Sequence, residues 1–186
     1  DNETLDGIDT KWFDKTAAGM RNGNYNFRPS RRIYIPKADG RKRPLSIPSP
    51  RDKIVQEGMR MLLEIVFEDS FSNFSHGFRP GRGCHTALNQ IKTTFHGVNW
   101  YIEGDIKACF DCVSHSKTVE LIKEKVEDQA FIDLIYKYFK AGYGDFISPV
   151  KLSEMGVPQG GVLSPLLSNL YLHGLDEFVE SELMPR

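Results

Sequence analysis

Residues 31–47 read RRIYIPKADGRKRPLSI. Two short runs, Arg32-Ile33-Tyr34-Ile35 and Arg43-Pro44-Leu45-Ser46-Ile47, flank Ala38-Asp39-Gly40. Asp-Gly supplies the positive φ angles of a tight turn, so the stretch reads as a β-hairpin. Pro36 and Pro44 cannot donate to a ladder, which puts them at an edge or a bulge. The hairpin is also the basic part of the chain. Residues 21–60 hold eleven Lys and Arg against three acids, although the net charge of all 186 residues is −1. Such a block reads as an anion or polynucleotide face, or more plainly as a solvated basic surface.

Outward from the hairpin, the pattern turns helical. Upstream, Trp12, Phe13, Thr16 and Met20 fit one helical face that ends near Asn22-Gly23-Asn24. Downstream, Ile54, Val55, Met59, Leu62, Leu63 and Val66 predict a helix over 51–67. A loop, Ser75 to Gly83, leads to a short helix carrying Ala87, Leu88, Ile91 and Phe95. Trp100 to Ile106 alternates as a strand, with Trp100, Ile102 and Ile106 on one face and Tyr101, Glu103 and Asp105 on the other. Helices over 116–126 and 128–141 follow, then a turn-and-strand region up to Gly156. Ser164-Pro165 opens a long helix, with serine as N-cap and proline at the first position. The whole is an α+β pattern with a modest, mostly antiparallel sheet and packed helices.

Composition narrows the class. Apolar residues make up 40% and charged residues 26%, an ordinary globular mix. No apolar run is long enough for a transmembrane helix, and the acidic start DNETLDGIDTKWFDK does not resemble a signal peptide. Three cysteines cannot close a disulfide framework, which favours an intracellular, reducing compartment. No repeat, low-complexity tract or Ser/Gly linker divides the chain.

Three places could carry chemistry. Asp105 stands at a strand end, where a carboxylate can hold Mg²⁺, a hard cation that takes oxygen ligands. It can equally cap a turn or pair with a lysine. A two-metal site would need a second acidic group nearby. Gly156-Val157-Pro158-Gln159-Gly160-Gly161 lets backbone approach a ligand, offers an amide for a base edge or sugar, and precedes a helix N-terminus that favours phosphate. It can also be a plain strand-to-helix turn, and it matches neither GxGxxG nor a Walker loop. Across the hairpin, Arg31, Arg32, Lys37, Arg41, Lys42 and Arg43 divide between two faces, so only some can clamp one triphosphate. Cys109 and Cys112 form a C-x-x-C, read as small buried thiols. The five histidines lack zinc-ligand spacing, and His76 and His85, which bracket the Arg79–Arg82 loop, suit hydrogen bonding.

In this order the pieces resemble the fingers and palm of group II intron-encoded reverse transcriptases, also called maturases. The matching stretches are Arg31 to Lys37, Arg43 to Pro48, Ser75-His76-Gly77-Phe78-Arg79-Pro80, Gly104-Asp105-Ile106-Lys107 with Cys109-Phe110-Asp111, and Gly156 to Gly161 with Leu163 to Leu167 and Asn169. The resemblance spans roughly residues 30–180. It implies a right-hand polymerase, with residues 1–98 as a basic fingers lobe and 99–186 as a partial palm, part of 116–155 packing on the fingers.

The resemblance also implies roles. Asp105 would be the first catalytic aspartate, a ligand to two Mg²⁺ ions, with the Ile106 carbonyl beside it. Lys37 and Arg43 would grip the triphosphate, assisted by Arg31. Phe110 would stack under the incoming sugar and exclude a 2′-hydroxyl. Gln159 would sit near the nascent base pair, and Arg32, Arg79, Pro80 and Arg82 would line the template path. The implied partners are a dNTP, an RNA template with a DNA primer, and intron RNA, in a mitochondrion or a bacterial cytoplasm. Two departures stand out. The family's Tyr-x-Asp-Asp hairpin, which brings the second metal carboxylate, does not occur in these residues, so the 186-residue chain alone is expected not to polymerise. Ala108, Cys112 and Ser114 stand where relatives often have Gly, Asn and Asp. Two other functions compete: an intron-RNA-binding splicing factor without chemistry, and a reverse transcriptase of retron or diversity-generating type.

Overall fold

The computed structural model describes residues 6–38, 40–144, 150–152 and 155–184. Asp39 of the hairpin turn, and residues 145–149 and 153–154 of the turn-and-strand region before Gly156, lie outside the described residues.

The hairpin forms as the alternation predicts. Strand β1 (Ser30–Pro36) pairs antiparallel with β2 (Lys42–Ile47), from Arg31 opposite Ile47 to Pro36 opposite Lys42. A third strand, β3 (Tyr143–Gly144), adds to β1 in parallel, giving the order β2-β1-β3. Pro44 therefore lies on an edge strand and Pro36 ends β1, the two places where a missing N–H costs no ladder bond.

Six α-helices occur among the described residues. Helix α1 (Thr10–Arg21) is capped by the Asp9 carboxylate, and α2 (Pro50–Phe67) by Ser49 with proline in its first turn. Helices α3 (Cys84–Thr94), α4 (His115–Lys123), α5 (Gln129–Lys140) and α6 (Ser164–Phe178) follow. The core lies where α2, α4, α5 and α6 meet, around Leu63, Ile122, Ile135, Leu163 and Leu167, each almost fully buried. The Asp52 carboxylate, buried at the start of α2, accepts hydrogen bonds from the Tyr25 hydroxyl (2.6 Å), the Arg28 N–H (3.1 Å) and the Ser49 hydroxyl (2.9 Å). It ties the chain entering β1 to the core. Lys137 of α5 donates to the carbonyls of Gly23 and Tyr25, so α5 packs on the N-terminal half.

Three sequence expectations change. Trp100 to Ile106 alternates like a strand yet pairs with none of the described residues. Trp100 is 89% exposed and Ile102 fully exposed, so its apolar face has no cover. Ser164 is not the N-cap of α6. Leu163 holds that position, because the Ser164 hydroxyl is engaged with the Pro158 carbonyl and the Tyr138 hydroxyl. The C-x-x-C thiols are also less buried than expected: Cys109 is half-buried and Cys112 exposed.

Candidate nucleotide site

The loop Gly156–Gly161 is held by neighbours on several sides. The Gly156 N–H donates to the Val113 carbonyl and the Val157 N–H to the Phe110 carbonyl, both at 2.7 Å. His115, stacked on Phe139 at 4.2 Å, donates through Nε2 to the Gly156 carbonyl at 2.7 Å. The Ser46 N–H of β2 donates to the Gln159 carbonyl at 2.6 Å. The Val162 N–H donates to the Oε1 of Gln56, a buried glutamine of α2, at 3.0 Å. Two glycines make this closeness possible. Gly160 has φ +106°, and a Cβ there would lie 2.7 Å from the Ser46 carbonyl. A Cβ on Gly161 would lie 2.6 Å from the Ser164 hydroxyl and 2.8 Å from that of Tyr138.

This packing brings three sequence candidates together. Arg43 Nε donates to Gln159 Oε1 at 3.2 Å, joining the hairpin to the loop. Phe110, half-buried against the core, is bound through its carbonyl two residues from Gln159. Lys37 stands two residues past Ile35, the partner of Arg43. Strand alternation therefore puts Lys37 on the Arg43 face, at the diagonal distance of about 7–8 Å that long side chains bridge. Arg31 is exposed on β1.

Asp105 and Ile106 are exposed, and Asp105 makes no hydrogen bond or ion pair among the described residues. Phe110 lies five positions after Asp105, a reach of at most about 18 Å. Ala108, between them, adopts the left-handed conformation (φ +54°, ψ +39°) that glycine takes without strain. In kind, the Asp105 carboxylate and Ile106 carbonyl fit a hard divalent cation. In number they do not complete a site, since no group of three His, Cys, Asp or Glu converges among the described residues.

The template candidates divide. Pro80 is exposed, and Arg82 reaches the carbonyl and side-chain oxygen of Asn73 at 2.8 and 3.1 Å. Arg79 is buried. Its guanidinium donates to Glu68 Oε1 (3.0 Å) and to the carbonyls of Ser72 (2.6 Å), Ser75 (2.9 Å) and Glu68 (3.2 Å). Those bonds satisfy the charge internally, so Arg79 shapes its loop from inside and is not offered to a template. Arg32 also turns inward. It stacks 3.7 Å over the Tyr143 ring and lines a cavity of about 230 Å³ with His115, Tyr138 and Gly156. His76 bonds Thr86 at 2.9 Å and Gln90 at 2.5 Å, tying the loop to α3.

Sequence reading missed Gln56, His115, Tyr138 and Ser164, the side chains that hold the loop. A faint signal existed for Gln56, an uncharged polar residue in the buried stripe Val55, Met59, Leu63.

A basic hairpin joined through Arg43 and Gln159 to a glycine-rich loop, with Phe110 beside it, is an arrangement suited to a nucleoside triphosphate. The sequence signature of "Reverse transcriptase (RNA-dependent DNA polymerase)" matches residues 35–183, and the chain belongs to that family. Members of the family generally use divalent metals. Within the family, the chain is 51% identical over 179 residues to the "Uncharacterized 91 kDa protein in cob intron" of Schizosaccharomyces pombe, covering 96% of this chain and 22% of that protein. It is 47% identical over 179 residues to the group II intron-encoded protein LtrA of Lactococcus lactis subsp. cremoris, covering 96% of this chain and 30% of LtrA. The chain thus spans less than a third of either relative. Its fold also resembles a chain of a partial Cas6-RT-Cas1–Cas2 complex, with a TM-score of 0.56 at 20% identity over 96% of this chain and 32% of that one. No helix among the described residues is long and apolar enough to cross a membrane.

Proposed function

We propose that this chain is the fingers and part of the palm of a group II intron-encoded reverse transcriptase, residues 1–98 and 99–186 respectively. The complete protein adds dNTPs to a primer on an RNA template and also holds intron RNA during splicing. The observation that carries this reading is the Arg43–Gln159 hydrogen bond, which sets a triphosphate-gripping cation beside the residue assigned to the nascent base pair.

In the reaction, a primer 3′-hydroxyl attacks the α-phosphate of a dNTP and pyrophosphate leaves. Arg43, as a bidentate fork, and Lys37, as a point charge, neutralise the outer phosphates, and Arg31 adds to the field. The Phe110 ring lies under the sugar and leaves no room for a 2′-hydroxyl. Gln159 bonds the new pair from the loop. The Asp105 carboxylate and the Ile106 carbonyl would hold part of a Mg²⁺ set, which when bound would supply Lewis acidity at the reacting phosphate. No Tyr-x-Asp-Asp sequence occurs in residues 1–186, so these residues do not supply a second metal carboxylate of that kind. Pro80, Arg82 and the basic face of residues 21–60 follow the polynucleotide backbone, an interaction that weakens steeply with salt. The two relatives, a yeast intron protein and a bacterial one, suit a mitochondrial or bacterial cytoplasmic setting.

The test is primer extension by the complete protein with Asp105→Ala, alongside splicing of its intron. Loss of cDNA synthesis with splicing retained supports both roles. Unchanged synthesis would refute the metal assignment. A wild-type protein that splices but never extends a primer would leave the splicing-factor reading standing.

A further inference from the structure

Gln159 can meet a nucleotide only if its own backbone is aimed, and the Pro158–Gln159 peptide is held by an unusual set of bonds. The Pro158 carbonyl accepts from the Gly161 N–H at 2.9 Å and from the Ser164 hydroxyl at 2.7 Å. A carbonyl oxygen has two lone pairs, so both are used. Ser164 has one proton, and a carbonyl can only accept, so that proton goes to Pro158. The 2.9 Å contact between Ser164 and Tyr138 is then donated by the Tyr138 hydroxyl. Burial pushes the Tyr138 phenol well above its ordinary pKa, the Ser164 bond opposing this only in part, so the proton is always present. The relay runs one way, from Tyr138 to Ser164 to Pro158. Ser164 is fully buried and Tyr138 nearly so, so removing one partner leaves a buried polar group unpaired within the protein.

We infer that Tyr138 and Ser164 are positioning residues of the nucleotide site: they fix the plane of the Pro158–Gln159 peptide and so aim Gln159 at Arg43. The inference rests on the nucleotide-binding reading above and adds residues that touch neither nucleotide nor metal. It also accounts for Gly161, the position where any side chain would drive into both hydroxyls.

The test uses the complete protein and measures single-nucleotide incorporation, with Asp105→Asn as the control for chemistry. Ser164→Ala removes the hydroxyl on Pro158 and strands that of Tyr138. It should raise the KM for dNTP about tenfold, with kcat within about twofold and primer–template affinity unchanged. Tyr138→Phe keeps the Ser164–Pro158 bond and should raise KM by about threefold or less. A Ser164→Ala KM within twofold of wild type, in a protein whose activity Asp105→Asn abolishes, overturns the inference and leaves the polymerase reading intact. Absence of incorporation by the wild type overturns the polymerase reading instead. In that event, hydrogen exchange decides the positioning claim. The amides of Val157 and Gly161 should exchange about tenfold faster in Ser164→Ala while those of α2 stay unchanged, and equal loop rates overturn it.

Discussion

Gln159 and Asp105 sit in regions built in opposite ways. Around Gln159, residues of β2, α2, α4 and α6 each bond the loop or the residue after it, Tyr138 of α5 bonds Ser164 behind it, and two glycines are pressed against their neighbours. Around Asp105, the segment Trp100–Ile106 forms no regular element, pairs with no described strand and exposes its aromatic and aliphatic face. A Cβ added at Gly104 would meet nothing within 4 Å. The loop that carries Gln159 is fixed by contacts among the described residues, whereas the segment that carries Asp105 has no cover among them.

The largest expected contrast is in packing. Ile135 has no exposed surface and Ile102 is fully exposed. Ile135→Ala should cost about 2–5 kcal/mol, and Ile102→Ala should stay within about 0.5 kcal/mol. Denaturant titration of the 186-residue chain measures both, and comparable losses would break the contrast. Repeating the pair in the complete protein sharpens it. A cost at Ile102 that arises only there would place the segment's cover outside these residues.

Next comes a glycine pair. Gly161→Ala forces a Cβ against the Ser164 and Tyr138 hydroxyls and the Pro158 ring, and should cost about 1–3 kcal/mol. Gly104→Ala meets open space and should change stability by less than about 0.5 kcal/mol. Equal effects at the two glycines would mean that the loop yields as readily as the Asp105 segment.

A smaller effect lies at the join between the regions. Ala108 is left-handed, a conformation that costs a non-glycine residue about 1–2 kcal/mol, while glycine loses about 0.5–1 kcal/mol more chain entropy on folding. Ala108→Gly should therefore stabilise by no more than about 1.5 kcal/mol, read as a small rise in Tm. A fall would show that the Asp105–Phe110 link relaxes away from this conformation in solution.

How much of this was legible follows from the range of the forces involved. The hairpin was, because Asp-Gly and strand alternation are local signals. The helices were too, because their apolar stripes recur within one element. The strand at Trp100–Ile106 was overread: alternation records a face meant to be covered, and the cover is not local. Ser164 was taken for a cap because Ser-Pro is a frequent helix opening, yet its hydroxyl answers to Tyr138, 26 residues away. Arg79, between glycines and prolines, reads as a surface cation. Its partners are carbonyls of its own loop and Glu68, eleven residues upstream, which no local pattern announces. Of the candidate site, the sequence names Lys37, Arg43, Phe110 and Gln159, and the structure bonds Arg43 to Gln159 and Phe110 to the same loop, while Gln56, His115 and Tyr138, which hold that loop, carry no local signal of it.

The smallest expected effect concerns Asp176 on α6, beside the Arg79 anchor. Burial holds its carboxyl above the ordinary carboxylate range. The Glu180 charge pushes the same way, and His173 and Arg79 oppose both. The folded protein therefore binds this proton more tightly than the unfolded chain does. The associated stability is fully present below the ordinary carboxylate range and is lost as pH rises through the raised value. Asp176→Asn keeps the shape without the buried charge. It should raise Tm slightly at pH 7, by no more than about 2 °C because solvent screens the half-exposed group, and leave Tm unchanged near pH 3. A Tm that falls at pH 7 would mean that the attraction of Arg79 and His173 outweighs burial. The Asp176 carboxylate would then belong to the Arg79 anchor, and the Ser75–Gly83 loop would be fixed by two carboxylates, Glu68 and Asp176, as well as by carbonyls.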